Sequence, residues 1–344
     1  MKAAILVRQK SPLVIADLEL PEKLNYGQVL VKIFYSGICG AQINEIDGVK
    51  GSDHYLPHLL GHEGTGEVVK CGEGVSVVKK GDYAVLHWRK GEGIQSATSS
   101  YLWKGKKVNA GWVTTFNEMA VVSENRITPV PKDTDLVTAA LYGCALTTAF
   151  GVIHHDAQLK SGESIVVFGA GGVGSAIVLA ASTSSAYPII AVDISKHKLQ
   201  GVKNLGASHT LIYKEKNIRK NLEKILGRLG ADVTVDTTGI NRVREISFES
   251  ANKKGRTVLV GVPKHGEKMS IDSFPLHFQK ILTGSEGGSC NPSYDIPRLI
   301  RLEKAKKLNY SRMITKIYPF EKINQAISDL RQGKIIRGLI KFGK

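Results

Sequence analysis

The chain has 344 residues, is 42% hydrophobic and 23% charged, and carries a net charge of +16 from 47 Lys and Arg against 31 Asp and Glu. That is the make-up of a globular chain too long for one ordinary core, so two domains are expected; no apolar run reaches the roughly 18 residues of a membrane span, and Met1–Pro12 lacks a signal-peptide core, so the expected location is cytoplasmic. The positive charge comes in ones and twos (Lys79-Lys80, Lys106-Lys107, Lys253-Lys254) rather than in a cluster, which describes solvated faces and argues for a small-molecule partner, not nucleic acid or a membrane.

From residue 27 to 87 the chain runs in short Val, Ile and Gly-rich stretches (QVLVKIFYSG, GTGEVVKCG, DYAVLHW), the pattern of short strands joined by turns. Two of its motifs, GICG and GHEGTGEV, carry Cys39 and His62; a third, YGCALTTAFG, carries Cys144. Two thiolates and one imidazole make three protein ligands, which leave a tetrahedral Zn²⁺ one open position for chemistry. Taken singly, each cysteine also suits a small buried hydrophobe and the histidine a hydrogen-bonded core residue. Cys71 and Cys290 lack partners at ligand spacing and read as packing residues, and four cysteines in so long a chain are no disulfide framework. Between these motifs, residues 88–112 read as a long loop ending in a hairpin, YLW-KGKK-VNAGW.

Beyond residue 147 strands alternate with helices: SIVVF, PIIAVD, DVTVD and TVLVG are strands, SKHKLQGVKNLGA and IRKNLEKILGRLG helices. This predicts a parallel sheet covered on both faces. The run Gly169-Ala-Gly171-Gly172-Val173-Gly174 follows the first strand and opens an apolar helix, the context a dinucleotide fingerprint needs. Gly169 suits the tight turn, Gly171 the approach of a pyrophosphate, and Gly174 close helix–strand packing. Asp193 ends the next strand, 19 residues past Gly174, where a carboxylate meets ribose hydroxyls and repels a 2′-phosphate; NAD is expected over NADP. Lys198 is placed to bond the same ribose or to lie exposed on its helix. The tail holds an amphipathic helix, PFEKINQAISDLRQG, and a strand, IIRGLIKF, which are expected to return to the first domain.

On these motifs the chain resembles the zinc-containing medium-chain dehydrogenase/reductase family, nearest in texture to its alcohol and polyol dehydrogenases, over nearly its whole length. The resemblance implies an α/β fold: a Rossmann doubly wound parallel sheet (148–287) set into a mainly β GroES-like catalytic domain (1–147 and 288–344), with the active site in the cleft. It implies that Cys39, His62 and Cys144 are ligands of a single catalytic zinc. Glu63 resembles an adjacent or exchangeable ligand. Thr148 resembles a residue packed by the nicotinamide, with Val173 behind the ring. Val262 of VGVP joins the cofactor contacts, Arg337 resembles a pyrophosphate-binding arginine, and Trp88 and Ala41 fall at the substrate pocket. The activity implied is hydride transfer between NAD and a secondary alcohol or polyol, sugar-derived or phosphorylated substrates included, by a homodimer or homotetramer. A zinc-free NAD(P)H-dependent quinone or enone reductase of the same superfamily is the competing enzyme, and a non-catalytic NAD or nucleic-acid binder the competing class.

Three departures from the family pattern stand out. Ala41 replaces the Ser or Thr that passes on the alcohol proton, which leaves water, Asn44, His54 or the substrate's own hydroxyl as routes. Gln42 replaces an Asp behind the zinc-bound histidine; it is expected to orient His62 through its carbonyl and to leave the metal one unit more positive. Residues 88–112 contain no cysteine, so no structural zinc is expected; Arg89 and Lys90 there read as a substrate cap or as solvated surface.

Overall fold

The computed structural model describes residues 1–49 and 51–343. It divides into two compact units, one of Met1–Cys144 with Asn291–Lys344, the other of Ala145–Cys290.

The first unit is built around the strand Gln28–Ile38. Val29, Val31 and Ile33 are buried while Lys32 between them is exposed, the period of two that fixes which face meets a core. This strand pairs antiparallel with Gly64–Cys71 and Met119–Ser123, and with Arg337–Lys341 from the C-terminal segment. The core on this sheet takes Val31, Val68, Leu86 and Phe116 from the first segment and Ile323, Ile327 and Ile340 from the last, so the two segments share one hydrophobic interior. A second, five-stranded sheet holds the N-terminal strand Lys2–Leu6 and the hairpin Ser100–Trp103/Lys106–Asn109. The two residues at its tip, Lys104 and Gly105, both have positive φ (51° and 73°), the turn that matches strand twist.

In the second unit six strands lie parallel, in the order His209–Ile212, Ile189–Asp193, Ile165–Phe168, Ala231–Asp236, Ala251–Leu259, Ile281–Gly284. This is the doubly wound arrangement, with the order reversing beside the strand that the glycine-rich turn follows. Ile165–Phe168 and Ile189–Asp193 are buried at every position, which explains the apolar runs IVVF and IIAV. The helix Glu215–Leu226 buries Ile218 and Leu222, four residues apart, and ends at Gly227 with φ 72°, a conformation that suits glycine.

The compact units change at Cys144/Ala145 and Cys290/Asn291, against the expected 147/148 and 287/288. The helix Ala145–Gly151 accounts for the shift. A Cβ on Gly151 would fall 2.0 Å from the carbonyl oxygen of Gly288, so that helix and the turn at Gly288 pack backbone to backbone within the second unit. Among the described residues no single helix is long and apolar enough to cross a membrane.

Candidate metal centre

Three separate segments of the first unit deliver the candidate ligands. Cys39 follows the strand Gln28–Ile38 directly and, still extended at φ −121°, sits at the N-cap of the helix Gly40–Ile46. Gly61, at φ 87°, turns the chain into His62 and Glu63 just before the strand Gly64–Cys71. Cys144 sits at φ −147°, ψ −75°, ending the short helical turn Ala140–Gly143. The two sulfurs and a ring nitrogen of His62 all lie within 4.8 Å of one another. Both cysteines are buried, and His62 Nε2 is a buried polar atom with no hydrogen-bond partner. A buried ring nitrogen left without a partner is costly in a protein interior. A zinc ion bonded at about 2.3 Å to sulfur and 2.0 Å to nitrogen would satisfy it and draw the three groups slightly inward. Among the described residues this is one group whose donor set fits that metal.

The electrostatics suit a cation. A hydrogen bond from Cys144, aided by His62, holds Cys39 well below the ordinary thiol range despite its burial; the same bond, with burial, pushes Cys144 well above it. Both thiols must give up their protons to hold a dication between them. Burial works against charge on His62, but the nearby Cys39 sulfur outweighs it and raises the ring's pKa.

Glu63 stands outside the three-ligand group. It is fully buried and forms an ion pair with Arg337, itself 1% exposed. Burial pushes the Glu63 carboxyl up while Arg337 pulls it back; for Arg337, burial opposes the charge and Glu63 restores it. The pocket around this pair is tight: a Cβ on Gly37 would lie 2.3 Å from Glu63 Oε1, and one on Gly143 2.8 Å from its Cβ. The two residues assigned by resemblance to metal and pyrophosphate are thus each other's partner, a pairing across 274 positions that no local motif announces.

Gln42 is where the expectation fails. Its carbonyl does not face His62: Oε1 accepts the Cys39 backbone N–H at 2.9 Å, and Nε2 is the atom set against His62 Nδ1. The reason is local, since a side chain three residues after an N-cap reaches back to the cap's own N–H. The remaining pocket candidates differ in setting. Ala41 is exposed, Asn44 half-buried and His54 exposed. Trp88 is half-buried with its indole N–H unpartnered, and the Arg89 guanidinium lies 5.8 Å from its ring centre.

In the second unit the glycine-rich turn has the expected backbone. Gly169 has φ 96°, and a Cβ on Gly174 would fall 1.8 Å from the Gly169 carbonyl oxygen. Gly171, by contrast, faces open space, with no atom within 4 Å of a Cβ built there. Gly172 and Val173 begin the helix Gly172–Thr183, whose first N–H groups have no partner within the helix. Asp193 accepts the Ala170 N–H through Oδ2 (2.7 Å) and the Ser195 N–H through Oδ1 (2.8 Å). Lys198 is half-buried, Thr148 is buried and Val262 is 59% exposed. Sequence reasoning passed over Thr237, whose hydroxyl donates to the carbonyls of Phe168 and Gly169 and pins the turn; the signal was DTTG ending a parallel strand.

Comparison with known proteins agrees with this architecture. Residues 25–132 match the alcohol dehydrogenase GroES-like domain, and residues 172–330 match a family described as zinc-binding dehydrogenase. Alcohol dehydrogenase 6 of Peromyscus maniculatus is 30% identical over 98% of this chain and 96% of its own length. An S-(hydroxymethyl)glutathione dehydrogenase of Photobacterium damsela subsp. piscicida is 28% identical over 99% of both. The crystal structure of benzyl alcohol dehydrogenase from Acinetobacter calcoaceticus superposes with a TM-score of 0.89 at 26% identity, covering 99% of each chain.

Proposed function

The chain belongs to the zinc-containing alcohol dehydrogenase family, and from that premise we propose that it oxidises a secondary alcohol or polyol with NAD, through one zinc held by Cys39, His62 and Cys144. The observation that carries the reading is the convergence of two sulfurs and an orphaned imidazole nitrogen within 4.8 Å. When bound, zinc supplies a Lewis acid for the alcohol oxygen, and NAD the hydride acceptor.

The chain's own residues supply position and charge. Cys39 and Cys144, as thiolates, cancel the two charges of a divalent ion, and His62 adds a neutral donor, so three protein ligands leave room for substrate oxygen. Glu63 brings no uncompensated charge to the site because Arg337 neutralises it. Ala41 has no hydroxyl, so the alcohol proton leaves without help from that position. In the second unit the turn at Gly169–Gly174 and the N-terminus of its helix offer N–H groups to a pyrophosphate. NAD is favoured because Asp193, fixed by two backbone N–H groups, sets a carboxylate at the end of the second strand, where a 2′-phosphate would be repelled.

The test is a panel of alcohols and polyols offered with NAD and with NADP, with metal content measured on the same sample. Reduced nicotinamide appearing faster from NAD, by enzyme carrying one zinc per chain, is the expected outcome. A zinc-free preparation that reduces quinones or enones with NADPH would replace this reading with the competing reductase.

A further inference from the structure

We propose that Gln42 makes the metal and a helix cap compete for a single oxygen atom, so that loading the site requires the Gln42 amide to turn over. The inference rests on Cys39, His62 and Cys144 being the zinc ligands.

It follows from counting donors and acceptors. The Cys39 backbone N–H can only donate, and it donates to Gln42 Oε1 at 2.9 Å. An amide has one acceptor end and one donor end. With the oxygen spent on Cys39, the NH₂ group is left against His62 Nδ1. A donor there requires Nδ1 to accept, which puts the single proton of a neutral ring on Nε2. With Nδ1 set against Gln42, the buried Nε2 is the ring nitrogen left to face the two sulfurs grouped with His62. A nitrogen that carries a proton cannot give its lone pair to a metal.

Binding zinc through Nε2 moves the proton to Nδ1, which then needs an acceptor behind it. Gln42 supplies one by rotating its amide half a turn, a motion that conserves volume and so suits a side chain 1% exposed. That rotation sets the NH₂ group against the Cys39 N–H, donor facing donor, and the cap bond is lost. Helix cap and metal support are thereby exclusive. A carboxylate at this position accepts at both ends and has no such conflict.

Two measurements on full-length protein test this. The first is zinc affinity by competition with a chromophoric chelator, for wild type, Gln42→Glu and Gln42→Met. Gln42→Glu is expected to bind zinc about 10- to 100-fold tighter than wild type, and Gln42→Met more weakly than wild type. The second is ¹⁵N NMR of the His62 ring in zinc-free protein, at a pH where the ring holds one proton. That proton is expected on Nε2 in wild type and on Nδ1 in Gln42→Glu, a shift that a purely structural role for Gln42 would not produce. Equal or weaker zinc binding by Gln42→Glu, or a proton on Nδ1 in the zinc-free wild type, overturns the inference. Failure of wild type to hold zinc at all overturns the zinc reading instead, and the ring measurement still decides the orientation of Gln42.

Discussion

The candidate metal centre and the glycine-rich turn proposed to hold the nucleotide are two sites built in opposite ways. The turn is contiguous: six residues, Gly169 to Gly174, shape it chiefly with backbone, braced by the Thr237 and Asp193 side chains, and its tightest demand is that a Cβ on Gly174 would lie 1.8 Å from Gly169 O. The candidate metal centre is assembled from the side chains of Cys39, His62 and Cys144, with the Glu63–Arg337 ion pair beside it. A backbone-built site is written locally, because the absence of a side chain is the message. A side-chain-built site writes its ligands locally and their supporting partners elsewhere in the chain. Substitutions at the two sites should therefore fail differently.

The largest effect is expected at a ligand. Cys144→Ala removes one of three donors, and with it the Lewis acid, so activity should fall by about 10³-fold or more as bound zinc is lost. The check is kcat together with metal content on the same preparation. Activity close to wild type in zinc-free Cys144→Ala protein would detach the chemistry from the metal and favour the reductase reading.

A stability effect of similar size is expected behind the site. Arg337→Met removes the guanidinium paired with the fully buried Glu63 carboxylate, and breaking a buried ion pair from one side costs about 3–5 kcal/mol. Denaturant unfolding reads this directly. Replacing both partners, Glu63→Met with Arg337→Met, should restore at least half of the loss, because a well-packed apolar pair of similar volume needs no compensating charge. A loss below about 1 kcal/mol in the single variant would mean that water reaches Glu63 and the pair does not hold the site together.

These two sites also set how much was legible. The sheets, the parallel strand alternation and the glycine turn follow from periodicity and glycine spacing, since Val29, Val31 and Ile33, or the run Ile165–Phe168, state their burial in sequence order. The three candidate ligands, Cys39, His62 and Cys144, stood out in the sequence because thiolates and an imidazole have few other uses in such a combination, and the structure brings them together. What stayed hidden were relations between distant or competing groups. Glu63 and Arg337 find each other across 274 positions. The direction of the Gln42 amide is decided by the Cys39 N–H, a backbone donor with no sequence letter of its own. The compact-unit boundary moved to Ala145 because Gly151 packs on Gly288, again a contact between backbones.

The smallest predicted effects separate fold from binding within the turn itself. Gly174→Ala sets a methyl against a carbonyl oxygen that belongs to the same tight turn, so the backbone must shift; about 1–3 kcal/mol of stability should be lost. Gly171→Ala meets no protein atom within 4 Å, and its stability should stay within about 0.5 kcal/mol of wild type. The methyl instead occupies the space through which a pyrophosphate would approach the backbone. The expected signature is a Kd for NAD raised about 10-fold or more, equivalent to about 1.4 kcal/mol, with an unchanged unfolding midpoint. If Gly171→Ala binds NAD as wild type does, the open face at Gly171 is not where the phosphates lie, and the comparison between a backbone-built and a side-chain-built site loses its first term.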